Sequence, residues 1–448
     1  MSSVSFPSRS RGRVQPVPVV TAPVVQPVRR RRLRAVVVLA LALLFLRGDF
    51  IMPALAFSLQ VNSIVRPYAF DLSTWEIDAI MAKVRDTVRS PVQGISETEQ
   101  AALVRAYMAN VARVQERTHF IEQQVSAGLA DTPETRAATH ELEALRRQQA
   151  YWRPQVEATI EWQVRTVLHD AGLTTLGAVW PPVRFHFSEL PHYLVVSPRA
   201  QIRRILGSYL QPDVPIVQMD AIETAVDRAG VAVDQNRGVR ALVDDIGGFS
   251  TWPTMVLDTT DLRWVLSTVA HEWVHTYLAF YPLGWHYFDN GDATTINETV
   301  SSIVGDEVGD LVLQRYYPDL MPPPAIDRPP PTADGDALTP KFDFSRDMRE
   351  TRQVVDQLLA EGRIDEAESY MEARRQHLLA NGYSIRKLNQ AYFAFHGSYA
   401  TGPGAVDPIG PKLEQLRAQR DSLAAFLHTV RSFRGMQDLE QALIRDHP

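Results

Sequence analysis

The chain has 448 residues, 45% of them hydrophobic and 22% charged, which excludes an intrinsically disordered protein and is long enough for two or three packed units with a sizeable core. Residues 1–48 hold nine arginines and no Asp, Glu or Lys, and taking those nine positive charges from the formal −6 leaves −15 on the remainder, an acidic body that argues against nucleic-acid binding. With no cysteine there is no disulfide framework, and any transition-metal site must be built from His and carboxylates.

At the start of the chain, Arg29, Arg30, Arg31, Arg32 and Arg34 follow a Pro/Val/Ser/Arg-rich lead that reads as disordered, and they precede an unbroken apolar run from Ala35 to Leu46. That run is too short to cross about 30 Å of hydrocarbon, but it suits the core of a signal peptide, with Ala54-Leu55-Ala56 as a small-residue cleavage site. The alternative is an uncleaved anchor over residues 35–57, which would associate the chain with a membrane and carry Arg47 and Asp49 in its middle, where lipid resists them. Either way the arginine cluster stays cytoplasmic and the body is exported or membrane-anchored on the extracytoplasmic side. A cytoplasmic chain with a buried apolar terminus is a third reading. The arginine run also resembles a twin-arginine export signal.

The whole reads as α+β and helix-rich. Residues 1–57 are the basic lead with its signal or anchor, and 58–175 form a helical bundle or hairpin. Stretches such as EQAALVRAYMANVARVQERTHFIEQQV repeat apolar residues at three and four, and Ser96 and Thr132 are placed to cap helices. Residues 176–320 change pattern. VRFHF alternates, YLVVS is β-branched, RALVDD and TWPTMVLDTT are short extended runs joined by the turn IGGFS, and DAIETAVDRAG reads as a helix closed by Gly230. These strands predict a small mixed sheet leading into an active-site helix and a second ligand helix. Residues 321–341 are a proline-rich linker, and 342–448 return to helical pattern around the loop HGSYATGPGAVDPIG.

VAHEWVHTYLAF, residues 269–280, carries the chemistry. Four residues along a helix place His271 and His275 on one face a turn apart, able to bring two imidazole nitrogens to one zinc ion. Glu272, one residue on, projects to the side where it suits a general base acting on water. No charge other than Glu272 lies between Arg263 and Asp289, so the helix must be buried, and a buried glutamate needs something to pair with it. The bland alternative is a core helix with two histidines bonded to backbone carbonyls.

TVAHEWVHTY resembles the active-site helix of the zincin metallopeptidases. That resemblance implies a zinc hydrolase acting on a peptide or protein substrate, with an edge strand that binds extended peptide. Leu278 and Tyr281 stand where a metzincin has Gly and His, which excludes that branch. INETVSSIVGDEVGDLVL, Ile296–Leu313, reads as a second amphipathic helix, with Ser301, Ser302, Gly305 and Gly309 keeping it small for close approach to the first. Its Glu298 is similar to the glutamate that completes a His, His, Glu set in the gluzincin arrangement; Glu307, Asp306 and His286 are rival third ligands. Where that arrangement often has an aspartate four residues after the glutamate, orienting a histidine, this chain has Ser302, so Asp306 or backbone carbonyls would take over.

An oxyanion also needs stabilising, and AYFAFHGSYA offers His396 and Tyr399, or equally an aromatic helix end packed on the core. The strand at Thr251–Leu257 is placed to be the substrate-binding edge. Asp244 and Asp245 either bind a free amino terminus or are turn residues. Two functions result: a zinc-dependent metallopeptidase with Glu272 as base, or a non-catalytic exported or membrane-anchored helical protein whose zincin-like domain binds a partner.

Overall fold

The computed structural model describes residues 52–89, 94–233, 238–287, 289, 291–321, 342–397 and 408–445. The chain divides into two units at Ala56 and Phe57. Of the first, only the opening of helix α1 (Met52–Val65) is described. The arginine cluster and the apolar run therefore lie outside the described residues, as does the proline-rich stretch 322–341. Among the described residues, no helix is long and apolar enough to cross a membrane.

The second unit, Phe57–Pro448, begins with helices α2 (Leu72–Arg89), α3 (Glu97–Ser126) and α4 (Pro133–Asp170). Their starts have local causes. The Ser96 hydroxyl accepts from the Glu99 N–H while the Glu99 carboxylate accepts from the Ser96 N–H, and Thr132 accepts from the Thr135 N–H with Pro133 in the first helical position. Asn110 bonded to the Leu145 carbonyl and Arg113 to Glu141 set α3 and α4 as an antiparallel hairpin.

Strands follow: β1 (Phe185–Ser188), β2 (His192–Pro198), β3 (Leu206–Leu210), β4 (Val239–Asp245), β5 (Gly248–Phe249) and β6 (Thr254–Leu257), with helix α5 (Ile216–Val233) between β3 and β4. In place of one small mixed sheet there are two of three strands. One, ordered β3-β2-β4, is antiparallel; the other, ordered β1-β6-β5, is mixed, with β1 parallel and β5 antiparallel to β6. Strand β2 is buried on both faces because successive side chains point opposite ways: Leu194 and Val196 meet Val61 and Val226, while Tyr193 and Val195 meet Ala391. Helix α5 does not close at Gly230. It runs three residues further, and Gly230 is small because a Cβ there would lie 2.4 Å from a methyl of Val239.

Both sheets protect an edge strand with helix carboxylates, which satisfy N–H groups that would otherwise be open to another chain. Glu161 and Glu157 accept from the Phe185 and Phe187 N–H groups of β1, and Asp227 and Glu223 from the Ala241 and Val243 N–H groups of β4.

Helices α6 (Leu262–Leu278), α7 (Pro282–Trp285) and α8 (Gly291–Tyr316) come next, then α9 (Phe344–Ala360), α10 (Ile364–Ala380), α11 (Gln390–His396), α12 (Ile409–Ala418), α13 (Leu423–Val430) and α14 (Met436–Arg445). Helix α8 is buried almost continuously from Ala293 to Ser301 and amphipathic beyond it, with Val304, Val308 and Val312 buried and Asp306 and Leu311 exposed, as α3, α4, α6, α12, α13 and α14 pack against it. One apolar core joins Val104 and Val164 of the hairpin, Phe187 and Val256 of the mixed sheet, Val269 of α6, Val304 of α8 and Phe426 of α13.

Candidate metal centre

Helix α6 is fixed by Asp261, whose side chain accepts from the Trp264 N–H, and by the Trp273 indole, which donates to the Pro181 carbonyl at 2.7 Å. Helix α8 crosses it at close range. An ideal Cβ on Gly305 would stand 2.8 Å from the Ser267 carbonyl and 3.0 Å from the His271 Cβ, and one on Gly309 would be 2.4 Å from the Ser267 hydroxyl. The small residues of α8 thus bring Glu298 onto the histidine face of α6.

There, His271 Nε2 and His275 Nε2 are 3.0 Å apart, and Glu298 Oε2 is 3.6 Å from the first and 3.4 Å from the second. These three residues form a group able to hold a metal ion. Glu298 is only 6% exposed, and its Oε2 is buried without a hydrogen-bond partner among the described residues. A buried carboxylate oxygen left this way is costly unless a cation meets it.

Side chains of α8 meet the outer nitrogens of both imidazoles, and Asp306 is exposed. His275 Nδ1 lies 2.6 Å from Asn297 Oδ1 and 3.4 Å from the Ser301 hydroxyl. Because an amide oxygen only accepts, Nδ1 donates to Asn297 and Nε2 is the ring nitrogen turned towards the group. Ser302 donates to the Glu298 carbonyl at 2.9 Å and stands 3.5 Å from His271 Nδ1. On its other oxygen, Glu298 accepts a short hydrogen bond from the Tyr287 hydroxyl. Burial alone would lower the His275 pKa, yet the Glu298 and Glu272 charges lift it to about 9. Glu298, which burial would push up, is held well below the usual carboxylate range by the two histidines. The rival ligands are engaged elsewhere: Glu307 pairs with Arg417, His286 with Asp289, and Asp306 is exposed.

Glu272 is 7% exposed and accepts a short hydrogen bond from the Ser250 hydroxyl. Over it passes β5, where an ideal Cβ on Gly248 would come within 2.5 Å of Glu272 Oε1, so only glycine fits. The edge next to the site is therefore β5. The strand within Thr251–Leu257, β6, is the middle strand, flanked by β1 and β5. Phe249 of β5 packs its ring 4.3 Å from that of Tyr209.

His396 bonds to Asp244 at 2.8 Å and packs on Tyr392 and Phe395, none of them in the metal group. Tyr399 lies outside the described residues. Asp244 and Asp245 close strand β4 rather than forming a turn, and their side chains meet His396 and His192 respectively. Ser250 and Tyr287 were not singled out for the site by the sequence, and Asn297 was noted only as the neighbour of Glu298. For Asn297 there was a signal, since Asn297 and Ser301, four apart, must share the α8 face that meets His275. Comparison with family models, with curated proteins and with solved structures finds no match.

Proposed function

We propose that this chain is a zinc-dependent metallopeptidase of the gluzincin-like kind, with His271, His275 and Glu298 as ligands and Glu272 as general base. The observation that carries the reading is the convergence of three donor atoms 3.0 to 3.6 Å apart, two imidazole nitrogens and a buried carboxylate oxygen that has no hydrogen-bond partner among the described residues. Donors about 2.1 Å from a tetrahedral centre stand roughly 3.4 Å from one another, and two imidazoles with one carboxylate are a donor set that zinc accepts.

Zinc held there supplies Lewis acidity, polarising a carbonyl and acidifying water. Glu272, anchored by Ser250, takes a proton from water and passes it to the leaving amine. Its burial keeps bulk solvent from competing for that proton. β5 is an edge strand of its sheet, whose backbone N–H and C=O groups can pair with an extended peptide, and Gly248 lets that edge lie directly against the Glu272 carboxylate. The arginine cluster before an apolar run supports export, cleaved or anchored, with the site on the extracytoplasmic side.

The test is elemental analysis of the purified chain and its Glu298→Ala variant. About one zinc per wild-type chain, lost or much weakened in the variant, is the expected result. No zinc in the wild type, even after zinc is added, would end the reading.

A further inference from the structure

Arg204 stands in the segment that leads into β3, and it lacks the carboxylate partner that several part-buried arginines of the unit have, a condition it shares with Arg431, which ends on the Tyr277 and Tyr281 hydroxyls. Arg184 ends on Glu161, Arg386 on Glu223 and Arg417 on Glu307. Among the described residues, no carboxylate lies within ion-pair distance of Arg204. Its guanidinium donates to the Tyr193 hydroxyl at 3.3 Å and sits 6.0 Å from the centre of that ring. This is a built position. Tyr193 lies across β3 because residue 207 is glycine, whose Cβ, if present, would fall 1.9 Å from the Tyr193 hydroxyl. Tyr209 packs on Tyr193 at 4.8 Å and on Phe249 at 4.3 Å, and Phe249 is the neighbour of Gly248 over Glu272. The wall that carries Arg204 is thus continuous with the edge strand beside the base. Burial lowers the Arg204 pKa, and the surrounding tyrosines and the Glu298 carboxylate raise it beyond that loss.

A partly desolvated guanidinium with only neutral hydrogen-bond partners is a receptor for an anion, and the fork geometry of arginine favours a carboxylate. In a site that cleaves peptides, that carboxylate arrives with the substrate. We propose that Arg204, backed by Tyr193 and Tyr209, anchors a carboxylate of the peptide substrate and so selects peptides that present a free C-terminus or an acidic side chain near the scissile bond. This inference rests on the metallopeptidase reading and adds its substrate class.

Three randomised tetrapeptide mixtures test it on the zinc-loaded chain: one with free C-termini, one amidated but containing Asp and Glu, and one amidated without them. The expected result is that a carboxylate-bearing mixture is cleaved about tenfold faster or more than the third, the scale of one charge-assisted hydrogen-bonded contact. Which of the first two is favoured distinguishes the terminal from the side-chain carboxylate. In Arg204→Gln that ratio falls towards one, and Arg204→Lys recovers part of it. The same mixtures, added to the non-cleaving Glu272→Gln chain, raise its unfolding temperature only when they carry the carboxylate, and Arg204→Gln introduced into that chain removes the shift. Equal cleavage of all three by the wild type, or a preference that survives Arg204→Gln, overturns the assignment while leaving the peptidase intact. A chain that binds no zinc fails the metallopeptidase reading instead.

Discussion

At the scale of single residues, Glu272 is the most exacting position, because the proposed reaction needs a carboxylate there and no neighbour supplies one. Glutamine keeps the shape and the Ser250 contact but cannot take a proton. Glu272→Gln should retain its metal and lose about a hundred- to ten-thousand-fold in turnover, measured as peptide cleavage alongside metal content. Turnover near the wild-type value with zinc in place would remove the mechanism. The residues that make this argument were unequally visible in the chain. His271, Glu272 and His275 show themselves through helical spacing alone, since three side chains in one turn share their geometry before any folding. Ser250, Tyr287 and Arg204 reach the site only through tertiary packing, and their spacing in the sequence holds no period that points to it.

At the scale of elements, the crossing of α6 and α8 was legible and the edge strand was not. Gly305 and Gly309 stand four apart, so they share one face, and the structure uses that face to seat α8 against Ser267 and His271. Strand β5 has two residues, Gly248 and Phe249, too few for an alternating pattern, and so it reads as a turn. The longer β-branched run beside it then looks like the edge, although it is the middle strand. The glycine in β5 gives a prediction at this scale. A methyl at position 248 would press on the Glu272 carboxylate, whose far oxygen is held by Ser250. Gly248→Ala should therefore misplace the base without touching the ligands: metal content stays at the wild-type level while kcat falls by about a hundredfold, the cost of an ångström-scale displacement. An unchanged kcat, or a loss of metal in parallel, would show that β5 does not position Glu272.

At the scale of the whole molecule, stretches that composition separates are tied by a buried ion cluster. Lys83 of α2 meets Glu157 and Glu161 of α4 at 2.6 and 2.8 Å, and the same two glutamates hold the N–H groups of β1, the strand that pairs with β6 ahead of α6. Nothing in the chain announces this, because Lys83 sits on a different helix from the two glutamates and the register between those helices is set only by packing. Burial would raise the Glu157 pKa, but Lys83 and His186 outweigh it and hold the carboxyl at about 2. The folded value is below the unfolded one, so this carboxylate contributes stability that is full above about 4.5 and is lost as pH falls through about 2. Lys83→Met leaves Glu157 and Glu161 buried without their cation and should cost about 3–5 kcal/mol near pH 7, read from denaturant unfolding. Lowering the pH erodes the wild-type contribution, while protonation relieves the unpaired carboxylates in the variant. The stability gap between the two should therefore narrow steadily as pH falls from 7 towards 3. A gap that stays constant from pH 7 to pH 3 would mean that the coupling between Lys83 and the Glu157 pair does not stabilise the fold.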